Sequence, residues 1–290
     1  MNIIFDKSLT GDIFLIKFIH IFFWLGYFAV VSLASNPVWP FDTIIPIKTI
    51  DGIQARSVYV GKTDQLYILS LDNEILKIDS SGILWQRYNN KYLGRPQFIY
   101  LENPLQLVLF YPDYQTVIIL DQWMSEIKRM KLTDFGVPFV RTIGIGPDRS
   151  IWYYDDQVKR LKKLGPEGNI LFESTILITE DNAALESIVV RKTDLIIQAI
   201  SGTVYVLNLF GQLKNKIMPL GYVFKYAATL IYIFDKELQA VKTFSLPEME
   251  AQYSLLLPKN LGHMNTVQII NDRMITINDS NQVQFWKFNY

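Results

Sequence analysis

Imidazole, thiol and carboxylate side chains carry most enzymatic chemistry, and this sequence is poor in the first two. It has no cysteine and two histidines, His20 and His263. His20 lies inside an apolar N-terminal run, so a Ser-His-Asp triad would have to pass through His263. No Gly-x-Ser-x-Gly elbow supplies its nucleophile. Gly262-His263-Met264 reads instead as a loop or strand-cap histidine ahead of an expected strand over Thr266–Ile270. Zinc centres built on several histidines or on cysteines are excluded by count. No Gly-x-Gly-x-x-Gly or Walker loop occurs, so neither a nicotinamide nor a quinone cofactor is expected.

The remaining ligating groups are acids and amides. Glu102, Asn103, Asp148, Asp194, Asn271 and Asp272 have the oxygen chemistry for calcium, which would serve a calcium-dependent hydrolase. Asn103-Pro104, Pro147-Asp148 and Asn271-Asp272 are also ordinary turn pairs, and that reading is preferred, with no metal expected. Aromatics give the last chemical signal. Tyr111, Tyr114, Trp123, Trp152 and Tyr154 fall at or near expected strand ends and are the candidate partner-binding residues. Large side chains with a polar tip are favoured at protein interfaces and stack on sugars. Successive strand residues point to opposite faces, so at least one of Trp152-Tyr153-Tyr154 must fill the core.

Composition narrows the setting. Twenty-eight basic residues balance twenty-eight acidic ones, which gives no field for nucleic acid. The densest basic cluster, Lys159 to Lys163, is flanked by Asp155, Asp156 and Glu167 and reads as a solvated turn. Ile13 to Leu33 is almost wholly apolar, with sixteen residues from Phe18 to Leu33 interrupted only by His20. Ser32 and Ala34 stand where a signal peptidase reads small residues, so residues 1–34 are expected to be a signal peptide cleaved after Ala34. An uncleaved signal anchor is the alternative. Either way the remainder is exported, to the periplasm or cell surface, with 35–43 as linker. A cysteine-free domain must then hold together by packing and sheet pairing alone.

Beyond Pro40 the chain turns to short β-branched and aromatic runs separated by polar turns. The best helical candidate there, Glu180–Arg191, is short and mixed. Six units follow, each containing two or three runs. Equivalent strand ends fall at Ile78, Leu120, Leu164 and Leu207, intervals of 42, 44 and 43 residues. The fifth and sixth units fit less cleanly, with anchors near Thr243 and Trp286. Four short strands per 40 to 45 residues is the period of a β-propeller blade, whereas a β-sandwich needs no period and a β-helix has shorter coils. The expected fold is all-β: a six-bladed propeller over residues 44–290. The sixth unit ends on its third strand, and Thr43–Ile50 has no place in the first. Pairing these two would close the ring, with Pro46 tolerated on an outer strand.

The repeated apolar-Asp-x-x-Gly-x-apolar turn resembles six-bladed propellers of the NHL and TolB-like type. Ile78-Asp79-Ser80-Ser81-Gly82-Ile83-Leu84-Trp85 also resembles a repeat of the quinoprotein-like propellers, which include an outer-membrane assembly scaffold. Gly168 and Gly211 keep the turn without the tryptophan. The expectation is a non-enzymatic scaffold or subunit of a bacterial envelope assembly or secretion complex, whose partner is another protein. A calcium-dependent hydrolase or glycan-binding propeller with its site in the central channel is the alternative.

Overall fold

Consecutive apolar residues are all buried only where both faces of a strand are covered. Leu66–Ser70 and Ile75–Ile78 are buried at every position, while Leu84–Tyr88 beside them is exposed at all but its last residue. This gradient, from covered to open strands, repeats around the molecule. The computed structural model describes residues 43–290 apart from 62, 64, 80, 176–183, 219–220, 227–229, 247–249 and 290. The expected export segment and its cleavage site lie outside the described residues.

The strands form six four-stranded antiparallel sheets. The first blade holds β2 (Ala55–Val60), β3 (Leu66–Ser70), β4 (Ile75–Ile78) and β5 (Leu84–Tyr88). The second holds β6 (Gln97–Tyr100), β7 (Gln106–Tyr111), β8 (Thr116–Asp121) and β9 (Glu126–Lys131). The third holds β10 (Ile143–Ile145), β11 (Ile151–Asp155), β12 (Arg160–Leu164) and β13 (Ile170–Glu173). In the fourth are β14 (Leu185–Val190), β15 (Asp194–Ala199), β16 (Val204–Asn208) and β17 (Leu213–Ile217). In the fifth are β18 (Tyr222–Tyr226), β19 (Leu230–Asp235), β20 (Ala240–Ser245) and β21 (Ala251–Leu256). The sixth joins β22 (Met264–Ile270), β23 (Arg273–Asn278) and β24 (Val283–Asn289) to β1 (Thr43–Ile50). β1 runs antiparallel to β24, from Thr43 opposite Asn289 to Ile50 opposite Val283. The molecule is a six-bladed β-propeller.

A twisted sheet cannot cover both its faces, so the core lies between blades. Val58 and Ile68 of the first blade pack with Ile275 and Phe285 of the sixth. Trp152 and Leu161 of the third pack with Ile188 and Ile197 of the fourth. Among the described residues, five of these interfaces hold ten to twelve buried apolar residues each. The interface between the fourth and fifth blades holds five: Ile196, Val204, Val206, Ile231 and Ile233.

The outer strand of every blade carries a register shift. Its extra residue is Trp85, Ile127, Leu171, Lys214 and Gln252 in blades one to five, and Ile47 on β1. A bulge bends an edge strand and disrupts its hydrogen-bonding ladder, which protects it from pairing with another chain. Ile78, Leu120, Leu164 and Leu207 each stand at this shift, so the period read from the sequence is the period of the bulges. In the fifth blade the corresponding residue is Phe244, one beyond the expected Thr243. Glycines in the turn before the bulge fit the same plan. Gly82 and Gly168 both have positive φ, and a Cβ there would run into Lys48 and Phe135 of the preceding blade's end. Leu185–Val190, within the segment set aside as too short and mixed for a helix, is the strand β14. Its β-branched Ile188-Val189-Val190 packs along an inner sheet edge, which outweighs the weak helical pattern.

Candidate functional site

The five candidate aromatics do not form one surface. Tyr111 is 1 % exposed, Trp152 3 % and Tyr154 6 %, and all three fill the layers between blades. Burial pushes the Tyr154 phenol up to about 12, so it stays protonated at neutral pH. Tyr114 and Trp123 are exposed, at 52 % and 63 %. They sit at opposite ends of the six-residue β8, roughly 20 Å apart at strand rise.

Trp123 is held by the turn between the third and fourth strands of its blade. The Asp121 carboxylate accepts from the Trp123 and Ser125 N–H groups, each at 2.9 Å. The fourth blade repeats this device. The Asn208 side-chain oxygen accepts from Phe210 N–H at 2.9 Å and Gln212 N–H at 3.0 Å. Phe210 thereby takes the place of Trp123, and it is 70 % exposed. Both rings stand on turns locked by their own Asx residue, so little backbone freedom remains to be lost on binding. The sequence reading passed over Phe210. An Asp or Asn followed two residues later by an aromatic, in register with the blade period, is the signal that finds it.

The other feature is a cavity of about 1190 Å³ lined by residues of all six first strands or their ends. Tyr59, Tyr100, Ser187 and Gln268 supply polar groups among aliphatic walls such as Val60, Ile145 and Ile270. It runs outward along the fourth blade past Ile196 and Val206 to Lys214 and Asn215 on β17. Among the described residues, that blade interface holds the fewest buried apolar side chains. Burial raises the Tyr59 and Tyr226 phenols, so they act as neutral hydrogen-bonding groups. Burial also pushes Tyr222 up to about 12, although its oxygen accepts from Val267 N–H at 2.9 Å.

Charged groups gather at the mouth. Lys214 Nζ lies 2.7 Å from Asp194. Burial would raise the Asp194 carboxyl, but Lys214, Thr193 and Arg191 together hold it below the usual carboxylate range. Lys225 Nζ donates to the Ile269 carbonyl at 2.9 Å and lies 5.6 Å from the Tyr232 ring centre. First-to-second and third-to-fourth connections leave an antiparallel meander from the same strand ends. Trp123 and Phe210 therefore share an end of the blades with this mouth.

The residues considered for calcium are scattered. Glu102, Asp194 and Asn271 line the cavity, whereas Asp148 binds Lys163 at 2.7 Å and accepts from the Ser150 hydroxyl. No group of three His, Cys, Asp or Glu side chains converges among the described residues. His263 pairs through Nδ1 with Asp279 at 3.0 Å, in the exposed approach to β22.

No family model matches this sequence, and no curated protein matches it. Solved structures do. The β-propeller domain of Cps50 (Swd1) from Myceliophteria thermophila aligns with a TM-score of 0.59 at 9 % identity, over 85 % of this chain and 100 % of that one. Virginiamycin B lyase from Staphylococcus aureus gives 0.52 at 10 % identity, over 82 % of each chain. BamB from Moraxella catarrhalis gives 0.43 at 13 % identity, over 80 % of this chain and 71 % of its own. At such identities the likeness is one of fold, and chemistry has to be argued from side chains.

Proposed function

We propose that this chain is an exported, non-enzymatic propeller that binds another protein, as a scaffold or subunit of a bacterial envelope assembly or secretion complex. The observation that carries the reading is the pair Trp123 and Phe210. Two large aromatic side chains stand in solvent on rigid, equivalent turns of alternate blades. Exposing them gains nothing for the fold, and ordered aromatics of this kind are typical anchors of protein interfaces. Export rests on the apolar segment Phe18–Leu33 and the small residues at Ser32 and Ala34. The lyase likeness brings no catalytic residue with it, because it is one of fold.

The test is affinity capture from solubilised bacterial envelopes, with the full chain and with a Trp123→Ala/Phe210→Ala variant of equal melting temperature. A defined protein retained by the parent and lost by the variant is expected. The same retained set for both chains, or none for either, overturns the reading. Mass spectrometry of the periplasmic fraction checks the location, with a mature N-terminus at Ser35 expected. A chain confined to the cytoplasm overturns the envelope assignment.

A further inference from the structure

We infer that the channel mouth and its extension along the fourth blade form a second contact site, which receives an acidic segment of the protein partner. This rests on the protein-binding reading above and adds the chemistry of what is bound.

Three observations point the same way. The first is charge. The whole chain is neutral, with twenty-eight residues of each sign. Among the described residues lining the cavity, four are basic, Arg191, Lys192, Lys214 and Lys225, and two are acidic, Glu102 and Asp194. The lining therefore carries a local excess of two positive charges, and a concave, low-dielectric wall focuses such a field. The second is size and shape. At about 1190 Å³ the space exceeds the roughly 300–1,000 Å³ of most small-molecule pockets. It is also elongated, running from the six inner strands to Lys214 and Asn215 on β17. An extended peptide fits that outline better than a compact metabolite. The third is continuity. Lys214 follows shortly after Phe210 on the same strand and turn, so a partner anchored on Phe210 is already placed at the cleft's outer end.

The walls add specificity. Val189, Val190 and Val223 line the cavity beside the phenols and amides. They suit a segment in which acidic side chains alternate with apolar ones. Asp194 keeps Lys214 in place and also sets a limit. A purely electrostatic sink would have no carboxylate beside its lysines, so the site favours a ligand that threads between the two signs.

The test uses the full chain and two octapeptides carrying a neutral fluorophore, (Glu-Leu)4 and (Lys-Leu)4, read by fluorescence anisotropy. The acidic peptide is expected to bind, with affinity falling as salt rises, and the basic one is expected not to. Arg191→Glu/Lys192→Glu should weaken the acidic peptide at least tenfold. The milder Lys192→Gln, at an exposed position, should weaken it measurably with no change in melting. Trp123→Ala should leave peptide binding intact. Equal binding of both peptides, indifference to charge reversal, or no binding at all overturns the inference. Full displacement by millimolar free glutamate overturns the peptide and leaves a small carboxylate in its place. Envelope capture without peptide binding sinks this site alone; peptide binding without any captured protein sinks the scaffold reading alone.

Discussion

Ile50 offers the cleanest test of what β1 contributes to the sixth blade. The strand has two kinds of isoleucine. Ile50 is 7 % exposed and packs with Val283, Phe285 and Ile275, whereas Ile45 and Ile47 are 46 % and 47 % exposed. Ile50→Ala removes buried methyl and methylene groups and leaves a cavity, a loss of about 2–5 kcal/mol. For a domain of this size that corresponds to a fall in Tm of roughly 4–20 °C. Ile45→Ala or Ile47→Ala should stay within about 0.5 kcal/mol of the parent. Ile50 also stands directly opposite Val283 in the register. A double-mutant cycle of Ile50→Ala with Val283→Ala should therefore show a coupling of about 0.5–3 kcal/mol. Urea unfolding followed by tryptophan fluorescence, repeated by calorimetry, measures all four states. Similar losses at Ile45 and Ile50, or strict additivity of the pair, would refute the reasoning. In that case β1 would merely lie along the sheet edge.

Two further outcomes follow from buried polar groups. Trp286 donates its indole N–H to the Thr276 hydroxyl at 2.9 Å inside the core. Thr276→Val keeps the shape but orphans that donor, for a loss of about 1–3 kcal/mol in urea midpoint analysis, and Thr276→Ser should lose less. Asp155 and Asp235 are each about 5 % exposed and bind Lys162 and Lys242 at 2.9 and 2.8 Å. Burial would raise both carboxyls, but the lysines and the turn N–H groups hold them below the usual carboxylate range. Their contribution is thus complete above the ordinary carboxylate pKa and disappears as pH falls through the lowered values. Urea midpoints should drop on acidification, and Asp155→Asn/Asp235→Asn should flatten that drop; an unchanged slope would count against the two pairs.

The second, third and fourth strands of the blades were legible because their physics is local. β3, β8 and β16 are apolar runs bounded by Asp, Asn or Gly turns, and burial on both faces demands that pattern. The bulge explains why the interval was so regular: Ile78, Leu120, Leu164 and Leu207 mark a backbone feature common to the blades. The first strands were harder to read. β10 has only three residues, and β14 opens with Leu185-Glu186-Ser187, whose mixed polarity interrupts the apolar run. Site residues were legible by type and not by direction. Tyr111 and Trp123 look alike in sequence, yet one fills an interblade layer and the other stands in solvent. Phe210 escapes a residue-by-residue reading because its role depends on equivalence with Trp123, which shows only when Asp121-x-Trp123 and Asn208-x-Phe210 are aligned on the blade period.

The register of β1 against β24 joins residues 43 and 289, nearly the full length of the described chain. Contacts so distant in sequence form late and slowly, because the intervening loop must close first. During synthesis the first five blades can fold in order while β1 waits unpaired, and β22, β23 and β24 emerge last with one open edge. Until that edge is filled it accepts the β1 of any copy, its own or a neighbour's. Strand exchange between two molecules would build the same pairs as the monomer, so crowding during refolding favours swapped dimers in which each ring is completed by the other chain.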